Sequence, residues 1–211
     1  HIRRNAGTIF SATLVVLAGN HADAAMIGFG ILVAGTLFVA WRAEAATPAV
    51  AAAAGFAFIV FAEWAVRANP DMLVLPGGPL PGMTPSATDG SVSLHLVTAG
   101  IFAAGFGIAG FLAQGRSNNP AIPVVWSATA VFAPLALLVA LYARIAHLDR
   151  SIPFAILAVI LAAAFAAATE TLSKREERPG LQAAIALFAT GTLAALALAL
   201  TFALEKGWLT I

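Results

Sequence analysis

The residue with the clearest chemical potential is one carboxylate near the end of a long apolar run. Glu63 stands in the segment Phe61-Ala62-Glu63-Trp64-Ala65-Val66-Arg67. Arg67 follows four residues later, so on a helix the two side chains share a face. A charge at a bilayer centre costs about 2.5–3.5 kcal/mol on insertion scales, which makes a carboxylate inside an apolar span a site hypothesis by default. Two readings fit. The pair is either an interfacial ion pair beside a tryptophan, with Arg67 reaching out to water, or a polar gate at the mouth of a helical bundle. Asp71 lies just beyond, and His95 opens the next apolar run. Glu63, Arg67, Asp71 and His95 are therefore the ligand or gate candidates.

Other familiar chemistry finds less support. His21 is two residues from Asp23, and His147 is close to Asp149. A metal site needs three or four converging ligands, and no spacing here demands convergence, so no metal ligand and no cofactor is assigned. The absence of cysteine excludes disulfides, thiolate metal sites and cysteine nucleophiles. No HExxH, G-x-S-x-G, Walker A or dinucleotide fingerprint occurs. Ser11, Ser86, Ser91 and Ser93 have no visible base partner, and no catalytic residue is assigned. These absences favour a non-enzymatic role.

The elements that must position these residues are set by hydropathy. Of 211 residues, 61% are hydrophobic and 10% are charged, and the mean hydropathy is +0.92. The charged residues are too few to coat a soluble domain and cluster between long apolar runs. A disordered chain, a basic nucleic-acid binder and an ordinary cytosolic enzyme are excluded. An integral membrane protein remains. Six apolar spans can be counted, at about 23–41, 46–66, 92–113, 122–143, 152–171 and 182–204. Twenty residues at ~1.5 Å each cross a ~30 Å hydrocarbon core. The spans are apolar on every face, without the alternation of barrel strands, so helices are expected. Thr47-Pro48 is expected to open the second span as a capping hydroxyl before a first-turn proline, and Pro153 should sit in the first turn of the fifth. A shorter segment, 6–18, is expected to form a helix that is either half of a span or interfacial. The expected fold is all-α: one polytopic transmembrane bundle over residues 1–211, with six full spans and one short N-terminal helix.

Helix seams should involve small residues, because close backbone approach replaces the hydrophobic force that lipid removes. Gly28 and Gly35 in the first span, and Gly100, Ala104, Gly107 and Gly110 in the third, are the packing candidates. Trp41, Trp64 and Trp208 lie at span ends, where amphipathic rings settle at the headgroups, and Trp126 and Tyr142 flank the fourth span in the same way. Glu170 and Lys174 should pair one turn apart at the end of the fifth span. The 67–91 connection carries seven glycine or proline residues from Pro76 to Pro85 and is irregular. Long ordered loops of this kind are often functional.

Orientation depends on the short helix. If it crosses, Arg3, Arg4, Arg42, Arg116, Lys174, Arg175 and Arg178 share one side, and Arg67, Arg144, Arg150 and Lys206 the other. The positive-inside rule then places the 67–91 loop outside. If it does not cross, the asymmetry disappears.

The order of spans, the Ala/Gly-rich helices and the closing phrase Ala203-Leu204-Glu205-Lys206-Gly207-Trp208-Leu209-Thr210 resemble a family of large bacterial predicted membrane proteins of unknown function. Its members look like long arrays of transmembrane helices. The resemblance implies that this chain is an internal piece of such an array, in the bacterial inner membrane, and carries over no functional residues. The absent initiator methionine and the apolar end Gly207–Ile211 fit that expectation. Three functions compete. A structural or assembly component of the envelope is favoured. A permease-like bundle for a small solute would need a polar path near the midplane. An enzyme acting on a lipid-linked substrate would use the external loop with Glu63, Arg67, Asp71, Asp89 and His95. The expected partners are membrane lipids and further transmembrane helices, of the same parent chain or of other subunits, with no nucleic acid.

Overall fold

A computed structural model describes residues 2–68 and 90–204. Asp71, Asp89, the centre of the 67–91 connection and the closing phrase from Glu205 onward, with Trp208, lie outside the described residues. The rest is helical: α1 (Ile2–Ala18), α2 (Asp23–Arg42), α3 (Thr47–Ala68), α4 (Val92–Leu112), α5 (Ala121–Ala146), α6 (Ile152–Ser173) and α7 (Leu181–Ala203). Helices α2 to α7 are each long and apolar enough to cross a membrane, and α1 is the shorter apolar helix. The expected all-α bundle of six spans plus one short helix is the observed fold.

Most boundaries agree with the hydropathy reading within a few residues, and one start differs in kind. The α3 helix is entered through a 3-10 turn, Glu44–Ala46, and Thr47 already has helical angles (φ −51°, ψ −39°). Its hydroxyl therefore cannot cap from an extended residue. It is buried and makes no hydrogen bond. Pro153 does occupy the first turn of α6, and Ser91 caps α4 by accepting the Leu94 N–H at 3.3 Å.

Helix α5 is the hub. It touches α3, α4, α6 and α7, and 61% of its span is buried against 28% for each of α2, α4, α6 and α7. One apolar cluster joins α1 to α5 through Phe29, Phe61, Trp64, Phe106 and Leu137. Two smaller clusters join α5 to α6 and α7, around Phe165 and Phe188 and around Tyr142 and Phe202. The outer surface stays apolar: Ile31 is 68% and Leu193 69% exposed, as lipid-facing side chains should be.

Small residues form the seams at fewer places than the sequence offers. A Cβ on Gly110 would overlap Ala130 and the Trp126 carbonyl of α5. At Gly28, Gly35, Gly100 and Gly107 a Cβ would meet nothing within 4 Å, so in this chain those glycines bring no helices together. Ala104 and Gly107 instead line a lateral groove of about 520 Å³ between α4 and α6, floored by Pro134 of α5.

The tryptophans also differ from a simple interfacial belt. Trp64 is fully buried and Trp126 is 2% exposed. They sit at span ends in sequence but point into the bundle. The Glu170–Lys174 pair forms at 2.6 Å, with both side chains about 70% exposed, where such a pair contributes little.

Candidate functional site

The site sits where α1 turns into α2. The chain leaves α1 through Gly19, Asn20, His21 and Ala22, and both Asn20 (φ 54°) and His21 (φ 59°) adopt left-handed backbone. Asn tolerates that region, whereas His does so only when neighbours hold it there. The result turns the His21 ring inward, where the residue is fully buried.

Two helices receive it. On α3, Glu63 lies a little over one turn inside the helix end, and its Oε2 is 2.5 Å from His21 Nε2. Arg67, one turn further on, donates from Nε to Glu63 Oε1 at 2.6 Å. Its Nη1 also donates to Asn20 Oδ1, tying the strained turn to α3. Rather than reaching outward to water, Arg67 folds back over the carboxylate and is 23% exposed. On α4, the fully buried His95 places Nε2 3.2 Å from His21 Nδ1 and Nδ1 2.9 Å from the Ser91 carbonyl. Asp23 at the start of α2 accepts the Ser91 N–H at 3.0 Å, so the turn before α4 is fixed to the same corner. Gly90 completes that turn: a Cβ there would overlap both the His21 carbonyl and the His95 ring.

Aromatic stacking closes the site from below. Trp64 stacks on His95 with centroids 4.3 Å apart and planes 9° from parallel. The Arg144 guanidinium of α5 lies over the Trp64 ring at 4.7 Å, an arrangement that attracts a cation to the ring face. The Trp64 indole N–H is buried without a hydrogen-bond partner.

The hydrogen-bond chain fixes a proton inventory. The Ser91 carbonyl only accepts, so His95 Nδ1 carries a proton. With His95 neutral, its Nε2 accepts and His21 Nδ1 must donate. A proton then still has to lie between His21 Nε2 and Glu63 Oε2. Making the three contacts at once would take one proton more than two neutral imidazoles and a carboxylate carry, and burial works against holding it on the His21 ring. Burial pushes the His21 pKa down, and the hydrogen bond and charge of Glu63 push it up; burial prevails, helped by Arg67 and Arg144. The groups facing the ring are Glu63 and Arg67 of α3, His95 of α4 and Arg144 of α5. A lowered folded-state pKa means that the unfolded chain binds more protons. This histidine thus contributes stability above about pH 6.5, the ordinary value, and loses it as pH falls through the lower folded value. NMR titration of the His21 ring nitrogens should give a midpoint below that of a free histidine. A midpoint above it would contradict the dominance of burial.

Of the residues singled out from sequence, Glu63, Arg67 and His95 come together here, joined by His21, Asn20, Trp64 and Arg144. Asp71 lies outside the described residues. His147 is the exposed residue that follows α5. Among the described residues, no group of three His, Asp or Glu is arranged to hold a metal ion. Asn20 and His21 were visible only as a polar turn; the Gly-Asn pair signals a left-handed bend. Nothing in sequence pairs Trp64 with Arg144, which are 80 positions apart.

Six apolar spans around a buried hub, with polar groups gathered at the helix ends, define a polytopic membrane protein. Residues 8–211 match the family described as predicted membrane protein (DUF2339), and the chain belongs to that family. No curated protein and no solved structure matches it.

Proposed function

We propose that this protein is a structural or assembly component of the bacterial inner membrane, without enzymatic activity of its own, whose spans pack laterally against further transmembrane helices. The observation that supports the reading best is how hydroxyls in the middle of the bundle are used. Among the described residues, several hydroxyls deep within the spans turn back on their own helix. Thr36 donates to the Leu32 carbonyl, Ser127 to Pro123, Thr129 to Val125 and Thr192 to Phe188, at 2.8 to 3.1 Å. Groups committed in this way offer nothing to a passing solute. The apolar groove between α4 and α6, walled by Ala104, Gly107, Ala164 and Ala168, is shaped for a close-packing helix. The antiparallel run of α1 beside α2 favours the orientation that puts the His21–Glu63 corner outside.

Because the chain has no cysteine, photo-crosslinkers can be attached at single introduced thiols in the native membrane. A probe at Ala104, in the groove, should give protein adducts, and one at the lipid-facing Ile31 should give only lipid adducts. Lipid adducts alone from Ala104 would overturn the assembly reading. The His21–Glu63 contact, 2.5 Å between Nε2 and Oε2, favours a second reading, a permease-like bundle gated at its external mouth. Proton-driven solute uptake by proteoliposomes, abolished by Glu63→Gln, would establish it over the first.

A further inference from the structure

At the opposite end of the bundle from His21 lies a polar cavity of about 160 Å³. It is framed by the end of α2, the start of α3, the end of α4 and the start of α5. Trp41 and Trp126 form one wall, edge to face at 6.1 Å. The Arg116 guanidinium carbon lies over the Trp41 ring, 4.0 Å from its centroid. A guanidinium held against a ring in this way keeps its N–H donors for a further partner. Arg42 lines the same cavity, and Glu44 is the single acidic residue there, so the lining carries a net positive charge.

The independent observation is Thr47. It lines the cavity and is 2% exposed, yet its hydroxyl has no partner. Thr36, Thr129, Thr169, Thr190, Thr192 and Ser127 satisfy theirs on the preceding turn. Thr47 has no such use because the 3-10 turn Glu44–Ala46 precedes it, with Ala46 N–H taking the Ala43 carbonyl. A buried hydroxyl without a partner costs about 1–3 kcal/mol. Ser117 is 6% exposed, and its oxygen accepts the Asn119 N–H at 3.0 Å, which leaves its own proton to donate into the cavity. The start of α3 adds the positive end of a helix dipole. Two arginines, two hydroxyl donors and a helix N-terminus share one polarity and one ligand class.

We infer that this cavity binds a phosphate group, with Arg116 and Thr47 as its principal donors, Arg42 and Ser117 beside them, and the Trp41–Trp126 pair as an interfacial wall. The phosphate belongs either to an anionic lipid headgroup or to a small soluble phosphate; both offer the same tetrahedral anion to the same donors. The inference does not depend on the assembly reading, since it concerns the other end of the molecule.

The test uses the full chain purified in maltoside detergent, with binding read by native mass spectrometry. The probes are short-chain phosphatidylglycerol, inorganic phosphate and the phosphate-free diacylglycerol. Saturable binding of phosphatidylglycerol alone identifies a headgroup site, and saturable binding of inorganic phosphate as well identifies a soluble-phosphate site; diacylglycerol should not bind. Arg116→Gln should weaken binding by roughly tenfold to a hundredfold, the worth of a charge-assisted hydrogen bond. Thr47→Val, nearly isosteric, should weaken it roughly threefold to tenfold, and Arg116→Lys should restore part of the loss. If Arg116→Gln does not fold, the valine variant carries the test. Absence of saturable binding by either phosphate probe, or wild-type affinity in Thr47→Val, would overturn the proposal.

Discussion

Glu63→Gln is expected to lower the stability of the folded chain by about 2–3 kcal/mol. Removing one partner of a buried ion pair costs about 3–5 kcal/mol because the other charge is left uncompensated. Here the carboxylate is 30% and Arg67 23% exposed, so solvent recovers part of that loss. The carboxylate also has three dependants. It holds Arg67 at 2.6 Å, it faces His21 at 2.5 Å, and through Arg67 it steadies Asn20. The amide can still accept one hydrogen bond but cannot balance the Arg67 charge. The left-handed turn at Asn20 and His21 loses its anchor, so its amide protons should exchange faster than those of the α5 hub. Equilibrium unfolding in mixed micelles measures the first effect and hydrogen exchange the second. Glu170→Gln, which breaks an exposed pair of the same spacing, is the matched control and should change stability little. Unfolding free energies that agree between the two variants would show that the Glu63 corner carries no special weight. Replacing both Glu63 and Arg67 by leucine should recover part of the loss, because two apolar side chains leave less unpaired charge than either single change.

The same corner shows what a sequence conveys and what it does not. The six spans are legible because lipid imposes one rule, a self-satisfied backbone under an apolar coat about twenty residues long. The Glu63–Arg67 pair is legible because helical spacing is local. His95 is visible as a polar residue in an apolar run, but its partner His21 is 74 positions away. That pairing exists only once α1, α3 and α4 meet. Thr47 illustrates a different limit. Thr-Pro before an apolar run has the composition of a cap, yet the preceding Glu44–Ala46 turn makes the threonine helical and leaves its hydroxyl to the cavity. The tryptophans follow the same logic, since position along a span sets their depth but only packing sets whether Trp64 faces lipid or His95. The small residues are the least legible of all. In a chain so rich in alanine and glycine, small pairs four apart arise everywhere, and a seam is decided by which one meets a neighbouring backbone.

Gly110→Leu tests that last point and should be the most damaging change within the apolar spans, costing about 3 kcal/mol, the upper end for an overpacked core position. The obstacle is backbone: an added Cβ would run into the Trp126 carbonyl and Ala130 of α5, and neither can rotate away. The helices would have to separate, which also strains a polar clasp at the same level. Gln114 donates from Nε2 to the Gly110 carbonyl at 2.7 Å and to the Pro123 carbonyl at 3.2 Å, so one side chain bridges α4 to α5. Gly100→Leu is the comparison. It lies on the same helix, with open space around its Cα, and should shift stability by no more than ~0.5 kcal/mol. Equal losses at the two positions would show that the α4–α5 seam does not set the cost, since Gly→Leu raises helix propensity at both. The pair of variants also bears on assembly. Separating α4 from α5 displaces the wall of the lateral groove that carries Ala104 and Gly107, so Gly110→Leu should also weaken the crosslinks from Ala104. Gly100→Leu, outside the groove lining, should leave them intact. Stability lost without any change in those crosslinks would separate the seam from the docking surface and leave the groove's occupancy independent of how tightly α4 is held.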